Sequence, residues 1–272
     1  MIKIGVLVLL KENIREEIKK VHDLGFESCQ ICSWNPGLHT DEIAKIINEA
    51  KAEFGVNVST FWCGWSGPCT WNFYDGPLTI GLVPEEYRET RLAQLKNGSD
   101  FAKKIGVENV ATHVGYIPEN PNAEQYKTLV ECLRELALHI KDNGQYFLFE
   151  TGQETPVTLR RTIEDVGTGN LGINLDPANL ILYGKANPVD ALDVFGEYVR
   201  DVHGKDGCYP TDGKNLGKET ALGEGKVDYP RFVARLKEIG YDRTITIERE
   251  IYGDEKQIED IKKAKAILES LI

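Results

Sequence analysis

The sequence predicts an α/β protein that folds as one (β/α)₈ TIM barrel across residues 1–272. Short β-branched and aromatic runs alternate eight times with longer amphipathic runs. A length of 272 residues and a composition of 41% hydrophobic and 28% charged residues fit one large globular domain. A doubly wound sheet is the competing architecture. Its glycine-rich fingerprint is missing, because Gly167-Thr168-Gly169 precedes a predicted strand instead of following one.

The predicted strands are short runs rich in Val, Ile, Thr, Phe, Tyr or Cys, separated by polar turn residues. In chain order they are Lys3–Leu9 (KIGVLVL), Phe26–Ser33 (FESCQICS), Val56–Cys63 (VNVSTFWC), Asn109–Gly115 (NVATHVG), Tyr146–Thr151 (YFLFET), Gly172–Pro177 (GINLDP), Val199–His203 (VRDVH) and Thr244–Glu250 (TITIERE). Each is followed by a longer segment, as the barrel requires.

The predicted helices are the amphipathic segments between those strands. They are Glu12–Leu24, Asp41–Phe54, Pro84–Ile105, Ala123–Asp142, Pro156–Val166, Pro188–Phe195, Tyr229–Ile239 and Glu255–Leu271. Thr155-Pro156 and Asn187-Pro188 each place a capping side chain before a proline at the first helical position. Asp254 with Gln257 resembles a capping box before the last helix.

Charge and cysteine usage exclude several classes of protein. A net charge of −11 disfavours nucleic acid as a partner, because such binding depends on clustered Lys and Arg. The apolar run Ile2–Leu10 lacks the features of a signal peptide, and no run approaches the roughly 20 apolar residues of a membrane span. Cys29 and Cys32 point to opposite faces of a strand and cannot share one metal. We expect a cytoplasmic protein with reduced thiols.

Four consecutive predicted strands end on a polar side chain that points into the barrel. Side chains alternate along a barrel strand between the interior and the helices. By that alternation Glu150, Asp176, His203 and Glu248 all face the interior at the C-terminal mouth, where barrel enzymes carry their chemistry. The competing interpretation is a set of unrelated polar strand ends, each capping a neighbouring loop.

Three carboxylates crowded at one mouth repel one another and lose hydration, and a divalent cation offsets both costs. Three oxygen ligands and one imidazole form a mostly hard set. It favours Mn²⁺, with Mg²⁺, Co²⁺ and Zn²⁺ as the other candidates. The sequence therefore predicts one divalent metal ion as cofactor, held by Glu150, Asp176, His203 and Glu248.

The same strand ends, FETG, NLDPAN, VHGKD and TIERE, resemble the xylose-isomerase-like TIM-barrel superfamily of sugar isomerases and epimerases. The resemblance covers essentially the whole chain. It implies that the four residues hold the metal, and that Glu150 and Glu248 are also the catalytic acid/base pair. Two positions depart from the ketose epimerases, which carry His where this chain has Asn179 and Glu where it has Pro156. The resemblance is therefore to the superfamily as a whole.

The predicted reaction is isomerisation or epimerisation of a ketose or keto-sugar. A base removes the proton next to the carbonyl, and the metal stabilises the resulting enediolate. The alternative is a lyase on the same scaffold, a dehydratase or a keto-glycoside-cleaving enzyme, in which a neighbouring group leaves. Five histidines and the net charge of −11 count against a DNA-repair endonuclease of this superfamily, and the four-residue set counts against a non-catalytic binding protein.

Five further residues are candidates for binding a small-molecule sugar: His113, Asn179, Lys205, Trp62 and Trp65. For His113 the alternative is a packed core histidine, and for Lys205 a solvated loop lysine. The loop 64–83 is rich in aromatic residues, which stack on the C–H faces of sugars. The absence of a glycine-rich phosphate cradle favours an unphosphorylated sugar. A helical barrel exterior also predicts a homo-oligomer, a dimer or a tetramer.

Overall fold

In the computed structural model, which describes residues 1–253 and 255–272, the chain forms a closed parallel barrel surrounded by helices. The barrel strands in the described residues are β1 (Lys3–Leu9), β2 (Ser28–Ser33), β3 (Asn57–Cys63), β4 (Asn109–Thr112), β5 (Tyr146–Glu150), β6 (Leu171–Leu175), β7 (Val199–Gly204) and β10 (Thr244–Ile247). Two further strands, β8 (Asp206–Gly207) and β9 (Glu219–Thr220), form a short antiparallel pair outside the barrel. The fold predicted from the sequence is confirmed.

The α-helices lie around the barrel or in its loops. They are α1 (Ile14–Asp23), α2 (Asp41–Phe54), α3 (Gly76–Thr79), α4 (Glu85–Lys104), α5 (Glu124–Asp142), α6 (Pro156–Val166), α7 (Pro177–Leu182), α8 (Pro188–Phe195), α9 (Tyr229–Glu238) and α10 (Glu255–Glu269). Short 3₁₀ turns occupy Pro36–Leu38 and Gly196–Tyr198. Across residues 1–253 and 255–272, no helix combines the length and the hydrophobicity that crossing a bilayer demands.

The strand order around the barrel is β1-β10-β7-β6-β5-β4-β3-β2, so β5, β6, β7 and β10 are neighbours. Alternate side chains divide between two apolar clusters. Phe147 and Phe149 of β5 pack against the helices, whereas Leu148 lies in the smaller cluster inside the barrel. Cys29 and Cys32 divide in the same way, as predicted for a strand. The predicted alternation of side chains between the barrel interior and the helices is therefore present.

Two long loops, 64–83 after β3 and 205–228 after β7, meet over the C-terminal mouth. Asn72 of the first loop pairs with Asn215 of the second, and the Phe73 N–H donates to the Lys214 carbonyl over 2.9 Å. The buried Arg91 of α4 fixes the base of the first loop through its guanidinium group. It donates to the carbonyl oxygens of Ser66, Pro68, Thr79 and Gly81. The mouth is thus partly roofed by backbone held in a defined position.

The largest difference from the predicted elements is α7. The strand predicted at Gly172–Pro177 ends at Leu175, and Asp176 caps a helix that begins at Pro177. Pro177 at the first helical position cannot donate to a strand ladder, but it fits the first turn of a helix. The strand predicted at Asn109–Gly115 stops at Thr112, so His113 lies just beyond β4. The cap predicted at Asp254 lies outside the described residues.

Candidate metal centre and active site

Four side chains from adjacent strand ends converge at the mouth of the barrel. Glu150 ends β5, Asp176 follows β6, His203 lies within β7 and Glu248 follows β10. Each offers one ligand atom, and these atoms all lie within 4.8 Å of one another. Two ligands on opposite sides of one ion, each bonded at about 2.2 Å, are about 4.4 Å apart. The four groups can therefore share one cation after a small adjustment.

The Nδ1 atom of His203 is central to this cluster. It lies 2.9 Å from Glu248 Oε2, 3.4 Å from Glu150 Oε1 and 3.6 Å from Asp176 Oδ2. Burial by itself lowers the pKa of the His203 imidazole, but the charges of Glu248 and Glu150 outweigh burial and raise the pKa well above its ordinary value. The three carboxylates therefore stabilise a positive charge at or beside His203 Nδ1, and either a proton or a metal ion can supply that charge.

Asp176 is oriented by the helix that it caps. Its Oδ1 accepts a hydrogen bond from the Asn179 N–H over 2.9 Å, which satisfies a free donor in the first turn of α7. The other oxygen, Oδ2, has no hydrogen-bond partner among the described residues although it is buried. One carboxylate thus serves as helix cap and leaves one oxygen directed at the cluster.

Glu150 is held by an indole. Trp62 Nε1–H donates to Glu150 Oε2, while Oε1 faces His203 and lies 3.5 Å from His113 Nε2. Asn179 Nδ2 is 3.4 Å from the same Oε1. A buried carboxylate that is fixed on one oxygen presents the other in a defined direction, which is the preorganisation that a ligand or a base requires.

His203 is oriented from the far side of the barrel by Gln30 of β2. Nε2 of the imidazole lies 2.7 Å from Gln30 Oε1, which can only accept a hydrogen bond. Nε2 also lies 3.0 Å from Asn174 Nδ2, and the shorter contact to Gln30 favours a proton on Nε2, from which Nε2–H donates a hydrogen bond to Gln30 Oε1. In the neutral imidazole this leaves Nδ1 unprotonated, with its lone pair available to a metal.

Gln30→Leu is expected to lower the affinity for Mn²⁺ by about 10- to 100-fold, because it removes the acceptor that fixes the His203 tautomer and ring orientation. Isothermal titration of the metal-free protein with MnCl₂ measures this affinity directly. Gln30→Glu is the matched control. It keeps an acceptor oxygen for Nε2–H, and we expect it to retain most of the affinity. Equal losses in both variants would contradict the tautomer argument.

The donor set fits a divalent ion on two grounds. Asp176 Oδ2 is buried and has no hydrogen-bond partner among the described residues, and His203 Nδ1 lies 2.9 to 3.6 Å from three carboxylate oxygens. Buried polar atoms are almost always satisfied, and an ion is one of the groups that can satisfy them. Three carboxylates and one imidazole are also the ligand types that Mn²⁺ and related ions prefer. This cluster could bind a metal ion.

A cavity of about 220 Å³ opens above the cluster. Of the residues predicted to act in the site, it is lined by Glu150, Glu248, His113, Asn179, Lys205 and Trp62. Trp65 is buried beside Trp34 and Trp62 and does not line the cavity. Trp34, Glu250 and Tyr252 also line the cavity, although they were not predicted to act in the site. The only indication of them in the sequence was their position, because each follows a barrel strand at its C-terminal end.

Comparison with known proteins decides the family. The sequence model of one protein family, the xylose isomerase-like TIM barrel, matches residues 18–271 of this chain. The chain belongs to this family. A solved structure of a xylose isomerase domain protein from Planctomyces limnophilus is 36% identical with a TM-score of 0.93, and the match covers 99% of this chain and 97% of that one.

Less similar proteins extend the comparison. An uncharacterised protein of Methanocaldococcus jannaschii is 26% identical over 284 residues, which cover 99% of this chain and 89% of the relative. The 3-keto-D-glucoside 4-epimerase of E. coli is 18% identical with a TM-score of 0.72, over 99% of this chain and 100% of that one. D-psicose 3-epimerases and a probable dehydratase also share the fold. At such low identity these enzymes establish the architecture alone.

Lys205 differs from the solvated lysine that was the alternative to a site residue. It is buried, and its Nζ lies 2.9 Å from Glu250 Oε2, 3.2 Å from Glu248 Oε2 and 3.5 Å from Asp176 Oδ2. Burial lowers the pKa of Lys205, but Glu248 and Glu250 outweigh it and raise the pKa well above its ordinary value. The ammonium group therefore stays charged beside the cluster.

The two departures from the ketose epimerases of this family have structural explanations. Pro156 occupies the first turn of α6, where Thr155 caps the helix. Asn179 lies in α7 and directs its amide toward Glu150. Glu154, the nearest acidic residue to Pro156, is buried but does not line the cavity. It therefore does not replace the missing glutamate.

Glu154→Gln is expected to stabilise the protein increasingly as the pH rises. Burial raises the pKa of the Glu154 carboxyl from 4.5 to about 8. Between these values the unfolded chain releases the proton that the folded protein keeps. The wild type therefore loses stability with rising pH by about 1.4 kcal/mol per pH unit from this group. Below pH 4.5 both states hold the proton and the difference disappears.

Urea unfolding in the presence of a chelator at pH 5 and pH 8 measures this difference. Glu131→Gln, on the exposed face of α5, is the control for loss of one surface charge. If the difference in the free energy of unfolding between the wild type and Glu154→Gln is the same at pH 5 and pH 8, burial of this carboxyl does not control its titration.

Proposed function

We propose that this chain is a divalent-metal-dependent isomerase or epimerase that acts on a ketose or keto-sugar. The observation that carries the proposal is the convergence of four candidate ligand side chains at the mouth of a family barrel, with the buried Asp176 Oδ2 accepting no hydrogen bond among the described residues. Glu150, Asp176, His203 and Glu248 would hold one divalent ion, with Mn²⁺ as the preferred metal. When bound, the ion supplies positive charge that polarises the carbonyl and stabilises the enediolate.

The two glutamates would act as the acid/base pair. They extend from β5 and β10, which are separated in the barrel by β6 and β7, so they approach a bound sugar from different directions. One carboxylate removes the proton next to the carbonyl, and the other returns it to the opposite face or to the neighbouring carbon. His113, Asn179 and Lys205 line the same cavity and would bind the hydroxyl groups of the sugar.

The charges in the cavity favour a neutral sugar over a sugar phosphate. Of the described side chains that line it, Lys205 alone is a lysine or arginine, and its ammonium group already faces three carboxylates. A phosphate group carries negative charge and usually binds to arginine, lysine or free N–H groups. Additional negative charge beside Glu248 and Glu250 would be repelled.

A lyase remains the second candidate, because the same residues can remove the same proton. Elimination follows when a hydroxyl or alkoxy group on the next carbon departs before the proton returns. The proton-transfer groups Glu150 and Glu248 are common to both reactions. The fate of the neighbouring substituent therefore distinguishes them.

The test is an assay of Mn²⁺-loaded protein against ketoses and keto-sugars in D₂O, followed by NMR. We expect deuterium to enter at a carbon next to the carbonyl, and we expect EDTA to abolish the exchange and added Mn²⁺ to restore it. Release of water or of an alcohol would favour the lyase. If no sugar of the panel exchanges, or if EDTA has no effect, the proposal fails.

A further inference from the structure

Three aromatic rings at the mouth are half exposed although they line the cavity. Trp34, Trp71 and Tyr252 are 42%, 41% and 52% exposed, respectively. Trp62 and Trp65, which lie deeper, are almost completely buried. Large exposed aromatic surface is costly in water, and where it borders a cavity it commonly binds a ligand.

The exposed rings are continuous with the metal-site residues. Trp62, which donates to Glu150, lies 4.8 Å from Trp34 between ring centroids, and Trp34 lies 6.4 Å from Trp71. Trp71 in turn lies 5.3 Å from the His113 ring, whose Nε2 faces Glu150. An aromatic surface therefore leads outward without interruption from the predicted reaction centre to the rim.

The inner and outer parts of the cavity differ in chemistry. The inner part holds the buried polar groups of Glu150, His113, Asn179 and Lys205, which suit the hydroxyl and carbonyl groups of one sugar ring. The half-exposed faces of Trp34 and Trp71 border the same cavity closer to solvent. Aromatic faces stack on the C–H faces of pyranose rings, so the rim is suited to a further ring.

We propose that Trp34 and Trp71 form an outer subsite for a second sugar ring, glycosidically linked to the ring that reacts. The preferred substrate is then a keto-glycoside, not a free ketose. This inference rests on the proposed function for the identity of the inner ring. The outer subsite itself rests on the exposed rings and their continuity with Trp62.

The test compares 3-ketoglucose, its methyl glycoside and a 3-keto-disaccharide on the Mn²⁺-loaded protein. Dissociation constants come from isothermal titration calorimetry, and deuterium exchange in D₂O is recorded in parallel. We expect the disaccharide to bind at least tenfold more tightly than the methyl glycoside. Trp71→Ala and Trp34→Ala should each reduce that ratio to less than threefold, because they remove the stacking surface. Tyr74→Ala, on the same loop but outside the cavity lining, should keep the ratio.

Two results would overturn the subsite. They are equal affinities for the disaccharide and the methyl glycoside, and an affinity ratio that survives both tryptophan substitutions. If both variants also dissociate an oligomer while the ratio survives, the rim is a subunit interface. Tight, tryptophan-dependent disaccharide binding without any deuterium exchange would support the subsite and contradict the proposed reaction, so the two failures are distinguishable.

Discussion

We expect Glu248→Gln to lower the rate of deuterium exchange into the substrate by at least about a thousandfold. The amide cannot accept a proton at neutral pH, and positioned acid/base groups typically contribute about 10²- to 10⁴-fold to the rate. The substitution also replaces a charged oxygen ligand by a neutral one. Rates are measured by NMR in D₂O at saturating Mn²⁺, so that weaker metal binding does not account for the loss.

Glu250→Gln provides the matched control for this result. Glu250 lines the same cavity two residues further on and also contacts Lys205, but it is not one of the four converging ligand residues. We expect its loss to change the rate by less than about tenfold, as for a residue outside the proton transfer. If Glu248→Gln exchanges deuterium as fast as the wild type, Glu248 is neither base nor essential ligand, and the proposed chemistry is wrong.

Asp206→Ala is expected to destabilise the fold by about 3–5 kcal/mol, because it removes a buried charged acceptor and leaves its donors unpaired. The Asp206 carboxylate accepts hydrogen bonds from the backbone N–H groups of four residues. They are Gly207, Gly223, Gly225 and Val227. Asp206 thereby fixes the loop that follows Lys205, and its loss should also disturb the metal centre.

Urea unfolding of the metal-free protein measures this effect. Asp206→Asn keeps one acceptor oxygen and should lose roughly half as much stability. Asp212→Ala is the control, because Asp212 accepts from the Lys214 and Asn215 N–H groups in the same manner but is exposed. Similar losses for Asp206→Ala and Asp212→Ala would show that the buried position of Asp206 adds nothing.

The sequence was sufficient for the barrel and for the convergence of the four strand ends, since both follow from local periodicity. Phe147 and Phe149 face the helices while Glu150 faces inward, as alternation along one strand requires. The α7 helix could also have been predicted from the sequence. Asp176-Pro177 carries the same cap-and-proline signal that marked Thr155-Pro156, but it was assigned to the end of a strand.

Other features depend on the tertiary structure and could not be predicted. The Gln30 side chain contacts His203 across 173 positions of sequence, and the pairing of β2 with β3 shifts register between Cys29 and Gln30. No local pattern indicates such a contact. Similarly, the exposure of Trp34 and Trp71 is set by the packing of loops around the mouth. The aromatic character of both residues was readable from the sequence, but the exposed fraction of each ring was not.

The candidate ligand residues and the residues that orient them lie in different parts of the chain, which has a consequence for fragments of this protein. All four proposed ligand residues lie between positions 150 and 248, whereas Gln30 and Trp62, which contact His203 and Glu150, come from the first quarter of the chain. A C-terminal half produced alone would contain the complete ligand set without these two supports. Mixing the two halves should therefore raise metal affinity, which makes metal binding a sensitive reporter of correct fragment reassembly.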